Sequence, residues 1–249
     1  MKVTTWNVLH RVHAVNWKEA PVVSFPDERV RIAGITALVV EWLDSGADVV
    51  CLQEVSGDQL TSIGVALAET MRSRAQIFDH VYPRLPAIRG GGPPVLDDAT
   101  EHLVTIVAPP PSGRPAARVQ SRTFDTDPGK GMLVTLSDGI RIVNTHVSFG
   151  PRSAAQLAAI SAATNEAPGG AVVVGDFNAS EDAVAAGLGA SFTLSDLEGQ
   201  APTHIPTSEH AGRIIDHVAV RGGVIESAAV LDRRALSDHA PVAAMLRFG

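Results

Sequence analysis

Short apolar runs alternate with polar segments along the chain, which predicts a protein that mixes β-strands with α-helices. Runs that are apolar throughout are typical of strands buried on both faces. Residues 48–52 and 171–174 have this character, and residues 2–8 are predicted as an opening strand. Further strands are predicted at residues 77–82, 102–108, 119–124, 214–220 and 241–248.

Helices are predicted where apolar residues recur at spacings of three and four. Ile32, Ile35 and Val39 share one face of a helix. Asp27 is its expected N-cap, and Gly46 is the stop signal that follows it. Two further helices are predicted at residues 58–71 and 154–165.

The clearest local signal is a β-hairpin over residues 132–143, where Asp138-Gly139 separates two apolar runs. Segments 86–98 and 109–115 are rich in turn-forming residues, but strands flank both and the composition does not change there. We interpret them as surface loops within a single domain, residues 1–249. Buried parallel-type strands together with a hairpin indicate an α/β domain with two packed mixed sheets and outer helices.

Composition places the chain among ordinary globular proteins, with 45% hydrophobic and 19% charged residues in 249. Cys51 is the one cysteine, so an internal disulfide is excluded and a disulfide-linked partner is not expected. Its apolar neighbours predict a buried, inert thiol. Neither a membrane span nor a secretory signal is predicted, and we expect a cytoplasmic protein.

Net charge limits the choice of substrate. The formal charge is −7, and the chain has no run of lysine or arginine. Proteins that bind long duplex nucleic acid usually carry a basic surface, because counterion release supplies much of their affinity. The charge therefore favours a small or short phosphorylated substrate over long DNA.

Polar clusters follow or adjoin the ends of the predicted strands, and they carry the candidate chemistry. Glu54, Asp176 and Asp238 are carboxylates beside buried apolar runs, where a charge is costly unless it is paired or bound to a metal. Oxygen ligands of this kind suit Mg²⁺ or Mn²⁺. The clusters are Trp6-Asn7, Gln53-Glu54, Asn144-Thr145-His146, Gly175-Asp176-Phe177-Asn178, Ile215-Asp216-His217 and Ser237-Asp238-His239.

Two histidines have the neighbours that acid–base chemistry requires. His146 ends a hairpin strand and His239 follows Asp238. Asp216 and His217 alternate within one strand, so only one of them faces a cleft, and we choose Asp216. His80, His204 and His210 lack such neighbours and are interpreted as surface or structural residues.

The order of these clusters resembles that of the endonuclease/exonuclease/phosphatase superfamily, from residue 5 to residue 242. The resemblance implies a deoxyribonuclease I-like fold, a four-layer sandwich of two mixed β-sheets flanked by helices. It implies that Glu54 is the principal metal ligand, assisted by Asn7, and that Asp238 binds or orients the metal. Leu9 stands where some members carry a second acidic contact, so a single-metal site is expected.

The same resemblance implies roles for the other matched residues. Asp176 would orient or deprotonate the attacking water, and Asn178 would position that water and the phosphate. His239, held by Asp216, would contact a phosphate oxygen or act as the base. His146 would stabilise the phosphate or protonate the leaving oxygen. Whether Asp176 or His239 takes the proton is open at this stage.

Substrate choice is expected in the loops that follow the strands. Segment 9–17 is predicted as a loop in which His10, Arg11 and Trp17 contact substrate, or else as a loop packed by its own apolar residues. Arg152 is a candidate phosphate contact or a helix cap. Glu101 either orients His146 or, as we prefer, is a solvent-facing charge.

The predicted activity is that of a divalent-metal-dependent phosphoesterase. Its substrate would be a nucleotide, a sugar or inositol phosphate, or a lipid headgroup, and the enzyme is expected to be a monomer. The main alternative is a nuclease acting on DNA or RNA. A second alternative is a catalytically silent binding module on the same fold. Every expected catalytic position is filled, which argues against this alternative.

Overall fold

Two six-stranded sheets form the centre of the computed structural model within its described residues, which are 1–70, 74–165, 167, 169–206 and 211–249. The strands are β1 (Lys2–Asn7), β2 (Val49–Ser56), β3 (Gln76–Val81), β4 (Glu101–Val107), β5 (Ala117–Phe124), β6 (Asp127–Ser137), β7 (Ile140–His146), β8 (Ala171–Asp176), β9 (Thr193–Leu194), β10 (Asp216–Arg221), β11 (Gly223–Val230) and β12 (Val242–Phe248). The helices are α1 (Arg11–Trp17), α2 (Ala20–Ser24), α3 (Glu28–Asp44), α4 (Gly57–Glu69), α5 (Ser153–Thr164) and α6 (Glu181–Leu188), with a 3₁₀ turn at Gly150–Arg152.

The molecule has four layers. Sheet 1 has the strand order β11-β12-β1-β2-β4-β3, and sheet 2 has the order β5-β6-β7-β8-β10-β9. Val49 and Val172 belong to the apolar core shared by both sheets. α3 and α4 cover the outer face of sheet 1, and α5 and α6 cover that of sheet 2. The predicted four-layer sandwich is therefore confirmed.

Strand directions bring several strand ends to one edge of the sandwich. β1 and β2 run parallel in sheet 1, as do β7 and β8 in sheet 2, so each pair ends on the same side. β12 and β10 are antiparallel to these pairs and begin where the pairs end. Polar residues at those ends are thus brought together from both sheets.

Most of the predicted elements are present, including the hairpin, which is formed by β6 and β7. The helix predicted at 58–71 is α4, and its predicted last residue, Met71, lies outside the described residues. Helices α1, α2 and α6 and strands β9 and β11 were not predicted. β11 lies at an edge of sheet 1 with many exposed residues, so it lacks the continuous apolar run of a central strand.

A β-bulge in β2 sets the direction of Glu54. The register with β4 shifts between Leu52 and Val55, and Glu54 has a φ of 57°. Gln53 is fully buried and its amide donates to Asn144 Oδ1 at 2.7 Å. Glu54 instead lines a surface cavity. A left-handed conformation in a glutamate is unfavourable and often marks a functional position.

Gly175 allows β7 and β8 to approach closely just before Asp176. Its φ is +146°, and a Cβ atom at this position would lie 1.9 Å from the carbonyl oxygen of Thr145. Any larger residue would therefore push β8 away from β7. This contact explains the glycine that precedes Asp176.

Within the described part of the chain, no helix has the length and apolar character needed to cross a membrane. Cys51 is completely buried, as predicted, and burial raises the pKa of its thiol to about 12. The thiol is therefore protonated at neutral pH and is a poor nucleophile.

Candidate active site

A cavity of about 920 Å³ opens at the edge where the strand ends meet. Side chains from both sheets line it, so neither sheet alone forms the site. The polar lining includes Glu54, Lys130, His146, Asp176, Asn178, Asp238 and His239, joined by His13, His204 and Arg213.

Asp176 is at the centre of the polar cluster. Its Oδ2 accepts a hydrogen bond from Asn7 Nδ2 at 3.1 Å and lies 3.2 Å from His146 Nε2 and 3.8 Å from His239 Nε2. Its Oδ1 accepts from the backbone N–H of Asn178 at 2.9 Å. Burial alone would raise the pKa of Asp176, but the charges of His239 and His146 hold it well below its usual range. The carboxylate is therefore ionised at neutral pH.

Glu54 lies beside Asp176 and is also held by hydrogen bonds. Its carboxylate accepts from Asn7 Nδ2 and from the backbone N–H of His10, both at 3.2 Å, and lies 3.8 Å from His146 Nε2. Burial would raise the pKa of Glu54, but the charges of His13 and His146 outweigh burial and lower it.

His239 is held by Asp216 through its other ring nitrogen, Nδ1. Its Nδ1 lies 2.8 Å from Asp216 Oδ2, the geometry that the predicted holding role of Asp216 requires. Burial would lower the pKa of His239, but the charges of Asp216 and Asp176 raise it well above the usual value. His217 instead contacts the carbonyl of Ala179 at 3.0 Å, so Asp216 is the member of this pair that contacts His239.

Asp238 is buried next to two imidazoles. Its Oδ2 lies 3.7 Å from His204 Nε2, and the His204 and His239 rings are 4.8 Å apart. Burial raises the pKa of Asp238, and the negative charge of Glu54 adds to that shift. His204, which was interpreted as a surface or structural residue, lines the cavity and forms a β-bridge with His239. His210, interpreted in the same way, lies outside the described residues.

Lys130 is a site residue that the sequence analysis missed. Its ammonium contacts His146 Nε2 directly. The sequence could have indicated it. The hairpin register set by Asp138-Gly139 pairs Gly131 with His146, and Lys130 is the residue next to Gly131. Extending the hairpin to its polar end would have identified it.

The predicted loop at residues 9–17 is wrong, since its greater part is helix α1. His10 is the N-cap and is fully buried. Arg11 turns away from the cavity, donates to the carbonyl of Phe25 at 2.9 Å and pairs with Glu28 at 3.4 Å. Both residues are thus occupied in holding the helix rather than in contacting substrate. Arg152 pairs with Asp127 at 3.7 Å and lies outside the cavity lining.

Trp17 does line the cavity, as expected of a substrate contact, and its exposed fraction is 62%. The guanidinium of Arg89 lies 4.1 Å from the centre of its ring. On another part of the lining, Arg213 lies 5.7 Å from the ring centre of Phe149, which is also exposed. The cavity therefore has two aromatic side chains, each stacked with an arginine.

Glu101 is not the solvent-facing charge that we preferred. It is 4% exposed, and its Oε2 lies 3.1 Å from His13 Nε2. The prediction failed because the contact between His13 of α1 and Glu101 of β4 joins residues that are distant in sequence.

His10 gives a prediction about stability and pH. Burial lowers the pKa of His10 to about 4, below the value of about 6.5 in an unfolded chain. Its stabilising contribution is therefore complete above pH 6.5 and is lost as the pH falls toward 4. Between pH 7 and pH 5 we expect the free energy of unfolding to fall by about 2 kcal/mol more in wild type than in His10→Asn, a variant that keeps an N-cap acceptor. Urea denaturation in EDTA measures this difference, and equal losses in the two proteins would contradict it.

The fold and the cavity together define the class to which the protein belongs. Two face-to-face mixed sheets with polar residues at one edge form the deoxyribonuclease I-like sandwich. The sequence matches the Endonuclease/Exonuclease/phosphatase family over residues 4–239, and the chain belongs to that family. The family includes metal-dependent nucleases and phosphatases. No curated protein sequence matches the chain significantly.

Several solved structures share the fold at low sequence identity. D. rerio TDP2 complexed with single strand DNA product is 14% identical, with a TM-score of 0.65 and coverage of 99% of this chain and 98% of that one. The endonuclease/exonuclease/phosphatase from Bacteroides vulgatus is 17% identical, with a TM-score of 0.66 and coverage of 100% and 98%. The corresponding protein from Beutenbergia cavernae is 19% identical, with a TM-score of 0.66 and coverage of 100% and 72%. These similarities establish the fold.

Proposed function

We propose that residues 1–249 act as one catalytic domain that hydrolyses a phosphoester of a small or short substrate with a divalent metal ion. The observation that carries the proposal is the position of Asp176, within 4 Å of an amide and two imidazoles in an open cavity. A carboxylate surrounded by hydrogen-bond donors suits the placement of a water molecule beside a phosphate.

The residues present fit a hard divalent cation. Glu54 is ionised and lines the cavity, and Asp238 is a buried carboxylate that is destabilised by the charge of Glu54. A cation bound by these carboxylates would remove that repulsion, and Asn7, whose amide N–H group donates to Glu54 and Asp176, would assist by holding those carboxylates in place. Mg²⁺ or Mn²⁺ at this position would polarise a phosphate oxygen and offset charge in the transition state.

The protein's own residues would then position water and phosphate. Asp176 is ionised and would orient the attacking water, with Asn178 beside it, and accept the proton of that water as the new bond to phosphorus forms. His239 is protonated and would donate to a phosphate oxygen, while Asp216 fixes its ring. His146 is placed to stabilise the leaving oxygen.

A nuclease is the second candidate, and the paired aromatic and arginine side chains favour it. Exposed Trp17 and Phe149 offer surfaces on which a base can stack, and Arg89 and Arg213 add positive charge beside them. The D. rerio relative was solved with a single strand DNA product. The net charge of −7 limits this candidate to short or single-stranded substrates.

A panel of phosphoesters tests both candidates. Nucleotides, sugar phosphates, inositol phosphates, lipid headgroups and short single-stranded DNA and RNA are incubated with Mg²⁺ or Mn²⁺, with EDTA as the control. We expect metal-dependent hydrolysis of at least one class. A nuclease would also lose affinity steeply as salt increases. If no member is hydrolysed while a ligand still binds, the silent binding module is the correct interpretation.

Lys130 supplies a further prediction. Its charge lies next to His146 and lowers the pKa values of Glu54 and Asp176. Lys130→Met is expected to lower kcat/KM by roughly tenfold to a hundredfold, because a positive charge near the transferred phosphate is lost. Lys18→Met is the matched control, since Lys18 also lines the cavity without such contacts. Similar kinetics for the two variants would remove Lys130 from the proposed site.

A further inference from the structure

A second group of metal-ligand side chains lies beside Glu54. His13 Nε2, a carboxylate oxygen of Glu54 and a carboxylate oxygen of Glu101 all lie within 4.8 Å of one another. We propose that His13, Glu54 and Glu101 bind a second divalent cation, so that Glu54 is shared by two metal sites. This site differs from the proposed catalytic one, which uses Asn7 and Asp238 with Glu54.

Regular secondary structure holds all three ligands in place. Glu101 is the first residue of β4 and pairs with Ser56, just beyond the β2 bulge that directs Glu54. His13 is in α1, whose N-cap His10 donates its backbone N–H to Glu54. Ligands on rigid elements keep their spacing without metal, which favours binding.

The three side chains of the group carry more negative than positive charge among themselves, although His146 also lies 3.8 Å from Glu54. Glu101 is 4% exposed, and its one ion-pair partner in the described chain is His13. Glu54 adds a second carboxylate to the same group. Within the group, one imidazole supplies at most a single positive charge to two carboxylates. A divalent cation, with His13 neutral as its ligand, would balance both carboxylates.

Two buried polar atoms next to the group provide an independent sign of a ligand. His10 Nε2 and Tyr82 Oη have no hydrogen-bond partner among the described protein groups, and both side chains are more than nine-tenths buried. The His10 ring lies 5.4 Å from that of His13. The backbone N–H of Tyr82 donates to the carbonyl oxygen of Glu101 at 2.9 Å, which places this tyrosine beside the group. Water on a bound cation would give these atoms partners.

The ligand set indicates which metal the site prefers. One imidazole with two carboxylates suits Mn²⁺ or Zn²⁺ better than Mg²⁺, which favours sites composed of oxygen. Mn²⁺ is therefore the appropriate probe, because it also occupies sites with oxygen ligands. The inference shares Glu54 with the proposed function, but its test measures binding and not hydrolysis.

The experiment counts Mn²⁺ ions bound to the full chain, from the electron paramagnetic resonance signal of free Mn²⁺ during titration. We expect two ions per wild-type chain and one in His13→Gln and in Glu101→Gln. Asp238→Asn should retain the second ion, since Asp238 is not a ligand of that site. Glu226→Gln, an exposed glutamate paired with Arg247, is the control and should bind two. Circular dichroism confirms that each variant is folded.

One Mn²⁺ per wild-type chain would overturn the inference, and so would two in a folded Glu101→Gln chain. If either result were found, Mg²⁺-dependent hydrolysis by the wild-type chain would still support the proposed function. Two bound Mn²⁺ ions without hydrolysis of any phosphoester would instead reject the proposed function and retain the site. The two failures are therefore distinguishable.

Discussion

Replacement of Glu54 by glutamine is expected to lower kcat/KM for the hydrolysed phosphoester by on the order of a thousandfold. A cation at a phosphate oxygen contributes several kcal/mol to the transition state, and about 1.4 kcal/mol corresponds to a tenfold change in rate. Glutamine keeps the size of the side chain and can still contact Asn7, but it lacks the negative charge that the cation requires. Steady-state kinetics over a range of Mg²⁺ concentrations measure the loss.

Glu41→Gln is the matched control for this substitution, because Glu41 is exposed and pairs with Arg234 far from the cavity. Its kinetics should equal those of wild type. Undiminished hydrolysis in Glu54→Gln would reject Glu54 as the metal ligand.

Asp176→Asn separates metal binding from activation of the water, since it should retain metal binding while hydrolysis falls. Wild-type activity in Asp176→Asn would exclude that residue from the reaction.

Replacement of Arg31 by methionine is expected to lower the free energy of unfolding by about 3–5 kcal/mol, the usual cost of breaking a buried ion pair. Arg31 is fully buried and pairs with Glu28. Its guanidinium also donates to the carbonyls of Val8 and Leu9 at 2.7 Å and of Leu236 at 2.8 Å. The substitution leaves three carbonyl groups without this donor and leaves Arg11 as the remaining ion-pair partner of the buried Glu28 carboxylate.

Arg234→Met is the control for Arg31→Met, because Arg234 forms an exposed ion pair with Glu41. Exposed pairs contribute up to about 1 kcal/mol, so its stability should change little. Urea denaturation followed by circular dichroism compares the two variants. Equal losses in the free energy of unfolding would show that the buried contacts of Arg31 stabilise the protein no more than an exposed ion pair does. Hydrolysis should also fall in Arg31→Met, since Arg31 ties together the loops that follow Asn7 and precede His239.

Much of the site is predictable because its residues directly follow or precede buried strands. An apolar run such as 171–174 fixes where a strand ends, and Asp176 then falls at the edge of the sheet. Parallel neighbours end at the same edge, so clusters distant in sequence converge. The expected layers and the meeting of Asn7, Glu54 and His146 follow from this rule.

Features that depend on long-range packing were not predictable in the same way. Arg11 faces away from the cavity because α1 packs beside Glu28, a contact that the spacing of residues 9–17 does not reveal. Glu101 is buried because His13 covers it. The bulge at Glu54 requires an unusual φ that an apolar pattern does not encode. Each of these involves a polar residue whose partner is distant in sequence.

The indole N–H of Trp6 donates to the carbonyl of His239 at 2.9 Å, across 233 positions of sequence. β12 lies between β1 and β11, so sheet 1 stays open along one edge of β1 until the final strand has been synthesised. Contacts of such long range slow folding, and an open strand edge promotes aggregation. During translation, Asn7 and Glu54 emerge long before His239. The proposed site is therefore completed late in folding, and we expect a nascent chain that stops before β12 to lack an ordered site and to aggregate.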